Sequence, residues 1–126
     1  MKSREWRELC DLVNAVRQAE ESRLAGWVRR RADVEAALAR VEEAADIPAL
    51  NDDAYQRAGG DLRWQAWCDA RKTELHADLA HVRFRQAAQI EATRRATARA
   101  LATEAVWRDA SRRETQLEER RREREG

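Results

Sequence analysis

Apolar residues in the first third of the chain recur at steps of three and four. Trp6, Leu9, Val13, Val16, Glu20, Leu24, Trp27, Arg31, Val34, Leu38, Val41 and Ala45 follow this pattern, and ten of the twelve are apolar. A mean step of about 3.5 residues is the period of a coiled-coil seam. No proline or glycine pair interrupts the run, so it predicts a first helix over about 3–45, with Ser3 as N-cap. The stretch DIPALNDDAYQRAGGD then gathers Pro48, the run Asn51 to Asp53 and the pair Gly59–Gly60. Turn chemistry of this density predicts a chain reversal over about 46–60, with DDAYQRA adding one short helical turn.

A second helix is expected over about 61–122, capped by Asp61 and frayed at EERRRERE for want of apolar anchors. Here Leu79, Ile90 and Leu101 recur every eleven residues, as do Val82 and Thr93. Eleven residues over three turns favour a straight or faintly right-handed seam, whereas the first helix prefers the opposite hand. The expected fold is therefore all-α, a single unit over 1–126 in which two long helices form a gently supercoiled antiparallel coiled-coil hairpin. A reversal centred on Asn51 to Asp53 pairs residues whose numbers add to about 105, which brings Trp6 to Leu101, Trp27 to Leu79, Leu38 to Trp67 and Cys68, and Val41 to Trp64. At 1.5 Å per residue the second helix should overhang the first by about 30 Å, through WRDASRRETQLEERRREREG.

Composition supports the thin seam. Charged residues make up 39%, aromatics 6%, and alanine dominates the hydrophobic 43%, a balance typical of long helices rather than of a thick core. A net charge of +1 gives no bulk field toward nucleic acid or an anionic membrane. The charged N-terminus, MKSREWRELC, and the lack of any long apolar run point to the cytoplasm. Cys10 and Cys68 are expected as free thiols far apart.

Candidate chemistry is sparse. His76 and His81 are five apart and fall on different helix faces, and Asp78 shares a face with His81 but no second imidazole or thiolate joins that pair, so no metal site is expected. Gly26, Gly59, Gly60 and Gly126 form no phosphate-binding loop, neither cysteine has an activating histidine nearby in sequence, and a hairpin lacks the concavity of a substrate pocket. No catalytic residue and no cofactor are assigned, and the chain reads as a non-enzyme.

Three surfaces remain. From Arg83 to Arg108, six arginines stand against Glu91 and Glu104. Such a tract can contact phosphates, but the favoured reading is a solvated flank paired with Glu5, Glu8, Asp11, Glu20 and Glu21 of the first helix. Opposite the seam runs a second stripe of Thr73, Ala77, Ala80, Phe84, Ala88, Glu91, Arg95, Ala98, Ala102 and Val106. It reads either as a contact face for another helix or as alanine used for helix propensity. Trp64 and Trp67 open the second helix; one should enter the seam against Val41 and the other lie on the flank, capped by Leu50 or Tyr55 or free to anchor a partner. The candidate partner-binding residues are Trp67, Phe84, Arg85, Arg94, Arg95, Val106 and Trp107.

An arginine- and alanine-rich hairpin with a long second helix containing WQAWCDARKTELHADLAHVRFRQAAQIEA and a charged end resembles the stalk proteins of flagellar type III export, the FliJ family, over about Arg4 to Leu117. The resemblance implies a shaft whose termini enter a hexameric export ATPase while its other end reaches toward the membrane export gate, with export chaperones as further partners. Hydrolysis would belong to the ATPase. On this basis the pore end would comprise Trp6, Leu9, Leu101, Trp107 and the overhang, with Phe84 and its neighbouring arginines as a lateral contact at the cytoplasmic face of a basal body. The alternatives are a self-associating coiled-coil tether and a small basic nucleic-acid-associated protein.

Overall fold

The computed structural model describes residues 1–46 and 59–126; the short helical turn expected in DDAYQRA, and Leu50 and Tyr55, lie outside the described residues. Among the described residues two α-helices are present, α1 over Ser3–Asp46 and α2 over Gly60–Glu125, packed as an all-α helical hairpin. Their contacts divide the chain into two compact units, one of Met1–Leu24 with Ala88–Gly126 and one of Ala25–Ala87.

Each helix end has a local cause. α1 begins at Ser3, and the amides of Glu5 and Trp6 donate to the Lys2 carbonyl at 3.0 and 3.2 Å. Ser3 is not the self-contained cap its sequence position suggests, because its amide and hydroxyl both donate to the Glu114 carboxylate of α2, at 2.7 and 2.5 Å. The acceptor for a first-turn donor thus comes from the other helix. At the start of α2, Gly59 takes a φ of 80°, open to glycine at little steric cost, and its carbonyl accepts the Arg63 amide at 3.1 Å. Asp61 therefore lies inside the first turn rather than ahead of it, where its charge still faces the positive end of the helix. At the far end the helix does not fray at Arg122 but continues to Glu125. Glu118 with Arg122, and Arg121 with Glu125, are spaced i, i+4, and Arg122 and Arg124 suit the negative helix end.

The unit of Ala25–Ala87 contains an apolar cluster of Val34, Leu38, Val41, Cys68, Leu75, Leu79 and Val82, with Trp27, Ala37, Ala45 and Trp64 packed against it. In the unit of Met1–Leu24 and Ala88–Gly126 the buried residues are Cys10, Ala96 and Ala100. Gln89 bridges this second seam, its side-chain amide donating to the Glu20 carbonyl at 3.2 Å and to the Glu20 carboxylate. The Thr93 hydroxyl adds a 3.4 Å bond to the same carbonyl.

Burial follows one period on both helices. On α1 an unbroken alternation of threes and fours runs through the sheltered Ser3, Trp6, Cys10, Val13, Arg17, Glu20, Leu24, Trp27, Arg31, Val34, Leu38, Val41 and Ala45, and Leu9, Asn14, Ala37 and Ala44 beside this row are sheltered too. Val16 leaves the expected seam, 53% exposed, and Arg17 takes its level. On α2 the same alternation runs through Lys72, Leu75, Leu79, Val82, Gln86, Gln89, Thr93, Ala96, Ala100, Thr103, Trp107, Ala110 and Glu114, with Trp64, Cys68 and Ile90 among the further sheltered residues. Of the expected eleven-residue rows Leu79, Val82, Ile90 and Thr93 are sheltered, and the departure is Leu101, 63% exposed, with Ala100 holding the seam position beside it. A seam tracks the facing helix at about 3.5 residues per turn, and an eleven-residue row drifts off it.

The register also differs from the expected one. Ser3 meets Glu114, Glu20 meets Gln89 and Thr93, Trp27 meets His81 and Arg85, and Arg31 meets Gln86. These numbers add to between about 108 and 117 rather than 105, so Trp6 does not reach the level of Leu101. Toward the chain reversal the expected neighbours hold, with Trp27 packed on the cluster that contains Leu79, Leu38 and Cys68 in that same cluster, and Val41 and Trp64 on one groove. The stretch of α2 beyond Ser3 accordingly starts after Glu114, not at Trp107, and spans about 17 Å to Glu125.

Candidate functional site

In the unit of Ala25–Ala87, Trp64 and Trp67 are one turn apart on α2 and stack, with ring centroids 5.3 Å apart and planes at 13°. Trp64 packs on the core, and Trp67 is 52% exposed. This is the expected division between seam and flank. Both tryptophans border an open groove of about 280 Å³ whose other walls include Val41, Arg40 and Arg71.

Further along α2 in the same unit, Phe84 is 73% exposed. Its neighbour Arg85 turns instead toward α1, its guanidinium 5.7 Å from the centre of the Trp27 ring. His81, one turn earlier, meets the same ring edge-on at 6.3 Å. A cation over an indole contributes about 0.5–1 kcal/mol at exposed sites. Trp27 is thereby held between two α2 side chains, and Arg85 is partly occupied within the hairpin. Sequence spacing contained the signal for this pair, since His81 and Arg85 are four apart, but the misplaced register hid their shared partner.

The remaining candidates lie in the unit of Met1–Leu24 and Ala88–Gly126. Arg94 is exposed and pairs with Glu91 at 2.7 Å, Arg95 is exposed, and Val106 is 42% exposed. Trp107 is half-buried at a seam position and borders a second open groove with Arg108 and Arg112. The seven candidates therefore form no single site: Trp67, Phe84 and Arg85 belong to one unit and Arg94, Arg95, Val106 and Trp107 to the other. All ten positions of the stripe opposite the seam, Thr73 to Val106, are exposed.

The arginine tract is only partly neutralised. Arg94 pairs with Glu91 and Arg108 with Glu104, each at 2.7 Å. Among the described residues every ion pair joins positions three or four apart on one helix, so the expected pairing of the tract with Glu5, Glu8, Asp11, Glu20 and Glu21 is corrected. Glu8 pairs with Arg4, Glu21 with Arg17 and Glu20 with Arg23. Neighbours on one helix meet with less loss of side-chain freedom than partners across a seam.

Both cysteines are buried free thiols in different units. Burial pushes the Cys10 thiol above its ordinary pKa, and the Glu104 and Asp11 carboxylates push it further. At neutral pH it is a protonated seam residue, the opposite of an activated nucleophile. His76 and His81 are both exposed. Among the described residues no three metal-ligating side chains converge, and no helix is long and apolar enough to cross a membrane.

Comparison with protein-family models, curated proteins and solved structures finds no match to this chain.

Proposed function

We propose that the chain is a non-enzymatic protein-binding hairpin that serves as a stalk in type III export, seated in an export ATPase ring at the cytoplasmic face of a flagellar basal body and coupling it to the export gate. The observation that carries this reading is the division of labour on α2. One heptad face is consumed by α1, while the opposite face, Thr73 to Val106, is exposed over its whole length and bears Phe84 at 73% exposure. A helix that devotes one face to its partner and leaves the other free suits a shaft held by surrounding subunits. The two-helix seam and the charged α2 segment beyond Glu114 agree with the stalk resemblance. Export chaperones are further proposed partners.

The test is binding of the purified chain to a hexameric flagellar export ATPase and to the cytoplasmic domain of its gate protein. Binding with faster ATP hydrolysis is expected, weakened by Phe84→Ala while the helical circular dichroism signal stays unchanged. Unaltered hydrolysis and no binding to either protein would overturn the stalk. The same exposed stripe also supports a second reading, a tether that self-associates through its alanines. Sedimentation distinguishes them: a tether dimerises alone, whereas a stalk stays monomeric until it meets the ring.

A further inference from the structure

Arg40, Val41 and Ala44 of α1 and Trp64, Trp67 and Arg71 of α2 border the open groove of about 280 Å³. Two features make it more than a gap between helices. Trp64 is packed on the core and stacks on Trp67, so the half-exposed Trp67 ring is held in place rather than left to swing. The charged residues on its walls are both arginines: Arg71 pairs with Glu74 at 2.9 Å, whereas Arg40 has no ion-pair partner among the described residues. The groove thus offers a stacked aromatic plane beside a guanidinium that has no ion-pair partner among the described residues.

We propose that this groove docks a protein segment bearing an Asp or Glu beside a bulky apolar side chain. The carboxylate would take the Arg40 fork in a charge-assisted, two-point contact, and the apolar side chain would lie against Trp67 and Ala44. Tryptophan and arginine are the residue types that dominate binding energy when they sit in a formed pocket. The positive charge is confined to this spot, because Glu42, Glu43, Asp46 and Asp69 occupy neighbouring exposed positions of the same two helices. A single carboxylate fits such a spot, whereas the successive phosphates of a nucleic acid would run onto those four acids. The inference rests on the chain being a protein-binding hairpin but not on an export ring, so loss of the ring interaction would leave it standing.

Selection of displayed random peptides of about a dozen residues against the full chain tests it directly. Enriched peptides should carry Asp or Glu next to Leu, Phe or Trp. Their affinity should fall by about tenfold or more in Arg40→Glu and in Trp67→Ala, the range of an interface hot spot. Peptides with the acid changed to Lys should recover binding to Arg40→Glu, an outcome that a merely unfolded variant cannot give. The docking is overturned if no acidic peptide is enriched, if both variants bind the enriched peptides as the parent does, or if a labelled single-stranded oligonucleotide displaces them from the groove.

Discussion

The two units share a period and differ in what they place on it. In the unit of Ala25–Ala87 the seam is Val34, Leu38, Val41, Leu75, Leu79 and Val82, and most of its cohesion comes from taking apolar surface out of water. In the unit of Met1–Leu24 and Ala88–Gly126 Trp6, Val13, Leu24 and Trp107 are only half-buried, and the fully buried residues are Cys10, Ala96 and Ala100, joined by Gln89 and Thr93 bonded to Glu20 and by Ser3 bonded to Glu114. Hydrogen bonds exchanged with water add about 1 kcal/mol each, less than a fully buried leucine or valine, and they impose geometry more than they supply energy. The contrast teaches that a heptad seam can be specified by large apolar side chains or by small and polar ones that fix distance and level. The first kind is stable; the second is selective about alignment.

Substitutions in the two seams should therefore fail in opposite ways. The largest effect is expected from Leu79→Ala, which empties a site only 6% exposed and should cost about 2–4 kcal/mol in chemical denaturation. In the other unit enlargement is the damaging change. Ala96→Leu forces a bulky side chain into a position 4% exposed and should cost about 1–3 kcal/mol, although it adds hydrophobic surface. If Ala96→Leu instead stabilised the protein, the close approach assigned to that seam would be wrong.

Phe84 and the whole of the exposed stripe were legible from sequence, as was the seam of α1, where only Val16 of twelve expected positions turned outward. On α2 the expected Leu79, Val82, Ile90 and Thr93 are sheltered and only Leu101 of that set turned outward. The other seam residues include Gln86, Gln89, Ala96 and Ala100, none of which stands out by hydropathy. Large side chains reveal a seam only where burial of large side chains is what holds it. Where alanine and hydrogen bonds do that work, period must be read from the facing helix. The Ser3–Glu114 tie and the Trp27–Arg85 contact were hidden for the related reason that both depend on register.

A smaller effect of opposite sign is expected at Gly26, an exposed position of α1 with nothing within 4 Å of an added Cβ. Gly26→Ala should stabilise the chain by about 0.5–1 kcal/mol through reduced backbone freedom in the unfolded state, raising the denaturation midpoint.

The smallest effect concerns pH. The Ser3 hydroxyl, and after it the Ser3 amide, hold the Glu114 carboxyl below its ordinary pKa. A depressed folded value means that the tie contributes fully above the unfolded carboxylate range and is lost as pH falls through the folded value. Carboxyl NMR should show Glu114 titrating below the ordinary glutamate range. Glu114→Gln should differ from the parent in stability at neutral pH and converge with it in acid.

The alignment of the two helices is the claim on which the rest depends, and spin-label distances test it most directly. With Cys10 and Cys68 replaced by alanine, nitroxides would be placed at Lys2→Cys with Thr115→Cys, and separately at Lys2→Cys with Ala102→Cys. The Ser3–Glu114 level predicts that the pair at 2 and 115 is the closer, by about 12 Å, because the 13 residues between 102 and 115 offset the labels by about 20 Å along helices about 10 Å apart. The reverse order, or couplings that vanish on dilution with unlabelled chain, would contradict both the register and the hairpin.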